Sequence, residues 1–154
     1  MKSLALALSS ALLLAAPAQA AEAFGTSALS LASLVGAYQP SLSAAQKNKL
    51  KAMGDSKMAK GAPFKVKADV VTCHSSNVDV AGHNCTLTFA GKDTEILGRV
   101  AHELDATLRE AGVEGDAGAG NIYTRVSRLV CEIEPNTVAE RSGGGAKCTW
   151  ADAP

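Results

Sequence analysis

Residues 93–111 read DTEILGRVAHELDATLREA, and this run decides how the rest of the chain is read. Leu97, Val100 or Ala101, Leu104, Leu108 and Ala111 recur at three- and four-residue intervals, one apolar stripe on an α-helix. Arg99, Glu103, Arg109 and Glu110 fall mostly outside that stripe. Asp93 stands where an N-cap belongs, and Gly112 supplies a left-handed stop after which Val113 folds back onto the last turn. The spacing predicts an amphipathic helix over 93–111.

Both flanks carry the other period. Upstream, Phe64, Val66, Ala68 and Val70 alternate with Lys65, Lys67 and Asp69, and Cys85, Leu87 and Phe89 alternate with Thr86 and Thr88. Each set reads as a half-buried strand. Downstream, glycines at 112, 115, 118 and 120 form a turn before a long strand in which Leu129, Cys131 and Ile133 alternate. Ile122 and Val126 sit on the opposite parity, which predicts a bulge or twist near Ser127. After Pro135 and the Gly143-Gly144-Gly145 loop, Cys148 and Trp150 share one face of a final strand. The order β-β-α-β-β predicts an α+β domain: a small antiparallel sheet of two hairpins with one helix packed across it.

The cysteines fit that layout. Four in a chain of 154 residues with an export leader read as two disulfides, and three connectivities are possible. Hairpin geometry favours the local pairing, because Cys73 ends one strand where Cys85 begins the next, and Cys131 and Cys148 bear the same relation. The staples have a reason. Alanine accounts for 29 residues and the aromatics are only three Phe, two Tyr and one Trp, so the core buries little area per residue. No C-x-x-C occurs, which removes a thioredoxin-type redox reading.

The leader is residues 1–20. Lys2 begins it, Leu4 opens a small-apolar run interrupted at Ser9 and Ser10, Pro17 breaks the run, and Ala18-Gln19-Ala20 offers small residues for cleavage after Ala20. The run is short for a transmembrane span, so the mature chain is expected to have no transmembrane anchor and to be periplasmic or secreted in a bacterium. Residues 21–63 read as a helical N-terminal arm and linker. One short helix over 28–38 ends at Gln39-Pro40, and a second over 43–54 opens with the capping box Ser43-Ala44-Ala45-Gln46. Lys47, Lys49 and Lys51 give the second helix a basic, solvated face. Residues 64–154 form the disulfide-stapled domain.

Charge excludes some function classes. Fifteen Lys and Arg against fifteen Asp and Glu leave no basic surplus for nucleic acid or for an anionic membrane surface. The chemical candidates are sparse. Cys73-His74 and His83-Asn84-Cys85 mirror each other across one loop. With the cysteines oxidised, His74 and His83 remain as candidate metal ligands, with Asn77 or Asp79 as oxygen donors, too thin a set for a closed zinc site. His102-Glu103 lacks the second histidine of H-E-x-x-H because position 106 is alanine. Gly115, Gly118 and Gly120 follow a helix and lead into a strand, the reverse of a dinucleotide fingerprint. A serine triad would have to draw on Ser75, His83 and Asp79, which no motif marks out. Glu132 and Glu134 lie about 7 Å apart on one strand face, as ordinary outward carboxylates do. The expected function is an exported, non-catalytic binding module without a cofactor, an inhibitor or envelope-associated protein, whose partner is another protein such as a hydrolase, or an envelope component. The alternative is a periplasmic metal-binding protein using His74 and His83.

Overall fold

The computed structural model describes residues 21–54, 60–76, 82–118, 120–135 and 145–152, and residues 1–20, read above as an export leader, lie outside them. In chain order the elements are β1 (Ala21–Phe24), α1 (Thr26–Tyr38), α2 (Ala44–Gly54), β2 (Phe64–Ser76), β3 (Asn84–Phe89), β4 (Lys92–Leu97), α3 (Arg99–Glu110), β5 (Gly115–Gly118), β6 (Asn121–Ile133) and β7 (Ala146–Asp152). The class is α+β. The strands form one antiparallel seven-stranded sheet in the order β1-β7-β6-β2-β3-β4, with β5 and β7 sharing one edge of β6. The central pair is β2 with β6, in register from Phe64 opposite Ile133 to Ser76 opposite Asn121.

Three differences separate this sheet from the two-hairpin layout. Residues 92–97 are a strand and not the start of the helix, which begins only at Arg99. Ala90 and Gly91, at φ 49° and 77°, make the tight two-residue turn that folds β4 back on β3. Asp93 then accepts a hydrogen bond from Thr88 Oγ1 at 2.7 Å instead of capping a helix, and Leu97, placed on the apolar stripe, is 64% exposed. The helix takes its start from Gly98, whose φ of 70° turns the chain without a side-chain cap. The other two differences are β1 and β5, each of four residues, which add strands the alternation did not mark. Short edge strands are held by a neighbour's backbone, so their side chains need no regular in-and-out pattern.

The bulge near Ser127 is present, and it has a partner. The register of β6 on β7 shifts between Ser127 and Val130, and Arg128 adopts φ 52°. Buried positions run Val66 and Ala68 and then Val71, Cys73 and Ser75 along β2, and Thr124 and Val126 and then Leu129, Cys131 and Ile133 along β6. Both strands change parity at the same level, so the core stays on one face although the pairing itself is unbroken. Val70, read as a core position, is therefore half-buried, and Val71 takes its place.

All three helices lie on that face. The capping box forms as read, with Gln46 N donating to Ser43 Oγ at 3.2 Å and Ser43 N to Gln46 Oε1 at 2.9 Å. α1 reaches the core through Ala28, Leu31, Ala32 and Val35, all fully buried, and touches α2, α3 and β7. A Cβ added to Gly36 would fall 2.8 Å from Leu50 Cδ1, so the missing side chain sets how closely α1 and α2 approach. α3 crosses β2, β3, β4 and β6 with Ala101, Leu104 and Leu108 buried to zero exposure. Leu104→Ala is expected to lower the unfolding free energy by about 2–5 kcal/mol in urea titrations. A loss below 1 kcal/mol would show that α3 does not seat its stripe in the core.

The disulfides join Cys73 to Cys85 and Cys131 to Cys148, and no described cysteine is free. Each bond links directly opposite residues of an antiparallel pair, with Cα–Cα distances of 4.1 and 4.0 Å. Each also lies beneath a helix. Cys85 Sγ is 3.4 Å from the Ala101 carbonyl of α3, and Cys148 Sγ is 3.3 Å from the Ala28 carbonyl of α1. The bonds therefore clasp the two hairpins where the helices press on them.

Candidate functional site

With the helices on one face, the other face of the sheet is left bare among the described residues. Strand pairing runs one row of directly opposite residues across it: Leu97 on β4, Asn84 on β3, His74 on β2, Tyr123 on β6 and Asp116 on β5. His74 is the hinge of the row. Asn84 Nδ2 donates to His74 Nδ1 at 3.3 Å, which leaves His74 Nε2–H to donate to Asn121 Oδ1 at 3.1 Å. That pattern is satisfied by the neutral imidazole. The ring stacks on Tyr123, with centroids 4.8 Å apart and planes at 23°. Tyr123 and Leu97 stay 52% and 64% exposed, two of the three large apolar side chains left in the open among the described residues. The third, Phe24, stands on the opposite end of the sheet, with Lys147 Nζ 5.7 Å above its ring. The next row, Glu95, Thr86, Thr72 and Arg125, adds one charge of each sign.

The helix side of the same strands holds a second polar group. Asp105 on α3 has zero exposure, and its carboxylate accepts from Ser75 Oγ and Thr124 Oγ1 at 2.7 Å each and pairs with Arg109 at 3.0 Å. Beside it, His83 packs edge-on against His102 at 4.6 Å between centroids and 81° between planes. His83 is 6% exposed, and the Nδ1 atoms of both rings are buried with no hydrogen-bond partner among the described residues. Burial holds the His83 pKa below its ordinary value, His102, Arg109 and His74 push the same way, and Asp105 opposes them.

The two histidines named as candidate metal ligands thus stand on opposite faces of the sheet. His74 belongs to the row with Asn84 and Tyr123, and His83, the next residue before Asn84, turns to α3. Among the described residues no group of three or more His, Cys, Asp and Glu side chains is placed to hold a metal ion. Asn77 and Asp79 lie outside the described residues. Ser75 gives its hydroxyl proton to Asp105, so the triad sketched from Ser75, His83 and Asp79 does not find Ser75 on a histidine. Glu132 is an outward carboxylate, 3.9 Å from Lys65 with both side chains more than half exposed, a pair worth little. Arg109, read as a surface charge, is instead the ion-pair partner of a buried acid.

Sequence reasoning missed Asp105, although a signal was there. Asp105 lies four residues after Ala101 and three before Leu108, inside the apolar stripe, with Arg109 one turn on. Tyr123 and Asn121 carried no such mark, because only the pairing of β6 with β2 brings them to His74. No helix among the described residues is long and apolar enough to cross a membrane. No protein-family model matches this chain, and no curated protein or solved structure matches it either.

Proposed function

We propose that the chain is an exported, non-catalytic binding module that engages another protein through the bare face of its sheet. The observation that carries this reading is the Leu97–Asn84–His74–Tyr123–Asp116 row, in which two exposed apolar side chains flank an amide–imidazole network. Exposed tyrosine beside polar groups of both signs suits a protein partner, since aromatic anchors with a polar surround dominate protein–protein contacts. Backbone pairing of β2 and β6 on both edges and the clasped β2–β3 hairpin hold the row rigid, which lowers the ordering cost of binding. Export is supported by the leader pattern at residues 1–20 and by the disulfides, which persist in oxidising compartments. In this reading His74 braces Tyr123 and is not a metal ligand, and the partner is an enzyme that the module inhibits or a protein of the envelope.

The test is capture from envelope extract on immobilised wild-type protein, Tyr123→Ala, and Lys51→Ala on the opposite, helical side. Tyr123→Ala is expected to weaken retention of the captured protein about tenfold or more, as loss of a central anchor does, while Lys51→Ala retains it. Equal retention by wild type and Tyr123→Ala would move the contact surface elsewhere.

A further inference from the structure

The His83–His102 contact is not used by the bare face, and its chemistry is unusual for a core. His83 is tied into the start of α3 by its backbone as well as its ring. Gly98 N donates to the His83 carbonyl at 3.0 Å, and His102 N donates to the Gly98 carbonyl at 3.0 Å. The head of β3, the turn at Gly98 and the first turn of α3 therefore meet at these two imidazoles. As neutral rings they pack edge to face, and a bare Nδ1 lone pair is the least demanding polar atom to bury.

We propose that this contact is an acid-sensitive joint, in which a proton taken from solvent parts the first turn of α3 from the head of β3 while the disulfides hold the rest of the sheet. Protonation would turn a buried Nδ1 into an N–H donor with no acceptor. Among the described residues the titratable and charged groups around His83 are His102, Asp105 and Arg109 of α3 and His74 of β2. Asp105 is the one acid among them, and its carboxylate is already taken by Ser75, Thr124 and Arg109. The remaining three all push the His83 pKa down. Among the described residues a proton on the closed joint thus meets no free counter-charge. The geometry favours opening, because an opened joint lets the rings reach water.

The linkage has a definite sign. The closed form holds its His83 proton more weakly than the opened form, whose imidazole has the ordinary value of 6.5. Closure is therefore at full strength above that value and weakens as pH falls from it towards the lowered value of the closed form, by at most tenfold per pH unit for one proton. Opening lifts Ala101, whose carbonyl covers Cys85 Sγ, but leaves Cys131–Cys148 beneath α1.

The experiment is native-state amide exchange of the oxidised protein between pH 7.5 and 5, corrected for intrinsic rates, with NMR titration of the histidine rings in the same samples. The amides of Gly98 and His102 are expected to open up to tenfold more per pH unit, with a midpoint that coincides with His83 titrating below 6.5, while central β2 and β6 amides stay protected. His83→Gln should remove the acid response. Should that variant not fold, coincidence of the two midpoints in the wild-type protein decides the matter alone. Acid-independent exchange at Gly98 and His102, a His83 midpoint at or above 6.5, or an undiminished response in folded His83→Gln each overturns the joint.

Discussion

Asp105→Ala is expected to destabilise the protein by about 3–5 kcal/mol, as removing one partner of a buried, hydrogen-bonded ion pair does. The carboxylate has zero exposure and gathers donors from three elements, Ser75 on β2, Thr124 on β6 and Arg109 on α3 itself. Its removal leaves the two hydroxyls without their acceptor and strips the guanidinium of its counter-charge, each a loss of about 1–3 kcal/mol before any cavity forms. Arg109 is 40% exposed and keeps access to water, so Arg109→Ala should cost less, about 1–2 kcal/mol after allowing for solvent screening. Urea titration under non-reducing conditions measures both. A cost below 1 kcal/mol for Asp105→Ala would mean that the carboxylate does not tie α3 to the two central strands.

The second large effect belongs to the clasp between β6 and β7. Replacing Cys131 and Cys148 together by alanine reopens a loop of sequence separation 17, worth about 3 kcal/mol in unfolded-chain entropy within an observed range of about 2–5. This bond matters beyond its own hairpin. Among the described residues β1 pairs only with β7, and Cys148 supports the Ala28 turn of α1, so loosening β7 loosens both. Thermal or urea unfolding of the double variant against wild type gives the number, and non-reducing digestion should recover Cys131 linked to Cys148 and Cys73 linked to Cys85. Unchanged stability would show that strand pairing alone holds that edge of the sheet.

Parts of this architecture were legible in local chemistry. The Ser43–Gln46 capping box, the end of α1 at Gln39-Pro40 and the parity break near Ser127 are each decided by residues within a few positions of one another. The cysteine pairing belongs with them, because a hairpin brings its two arms opposite each other and leaves a cysteine on each little choice of partner. The helix boundary did not. Residues 92–97 bury only Ile96 and bear Asp93 where a cap would stand, so helical spacing and an edge strand compete for the same letters. The turn at Ala90-Gly91 and the backbone of β3 decide between them.

By itself, then, the amino-acid sequence determined the α+β class and the stripe that seats α3 through Leu104 and Leu108, and it favoured, among three connectivities, the local cysteine pairing that the structure shows. All of these follow from side-chain period and short-range geometry. Only the tertiary structure decided that seven strands join, that His74 and His83 part to opposite faces, and that Ser75, Asp105 and Thr124 meet in the interior. Edge strands are recruited by a neighbour's unpaired backbone and not by their own side chains. A cluster drawn from β2, α3 and β6 exists only where the strand order lays β2 beside β6 beneath the crossing helix, a relation between distant residues that no local period encodes.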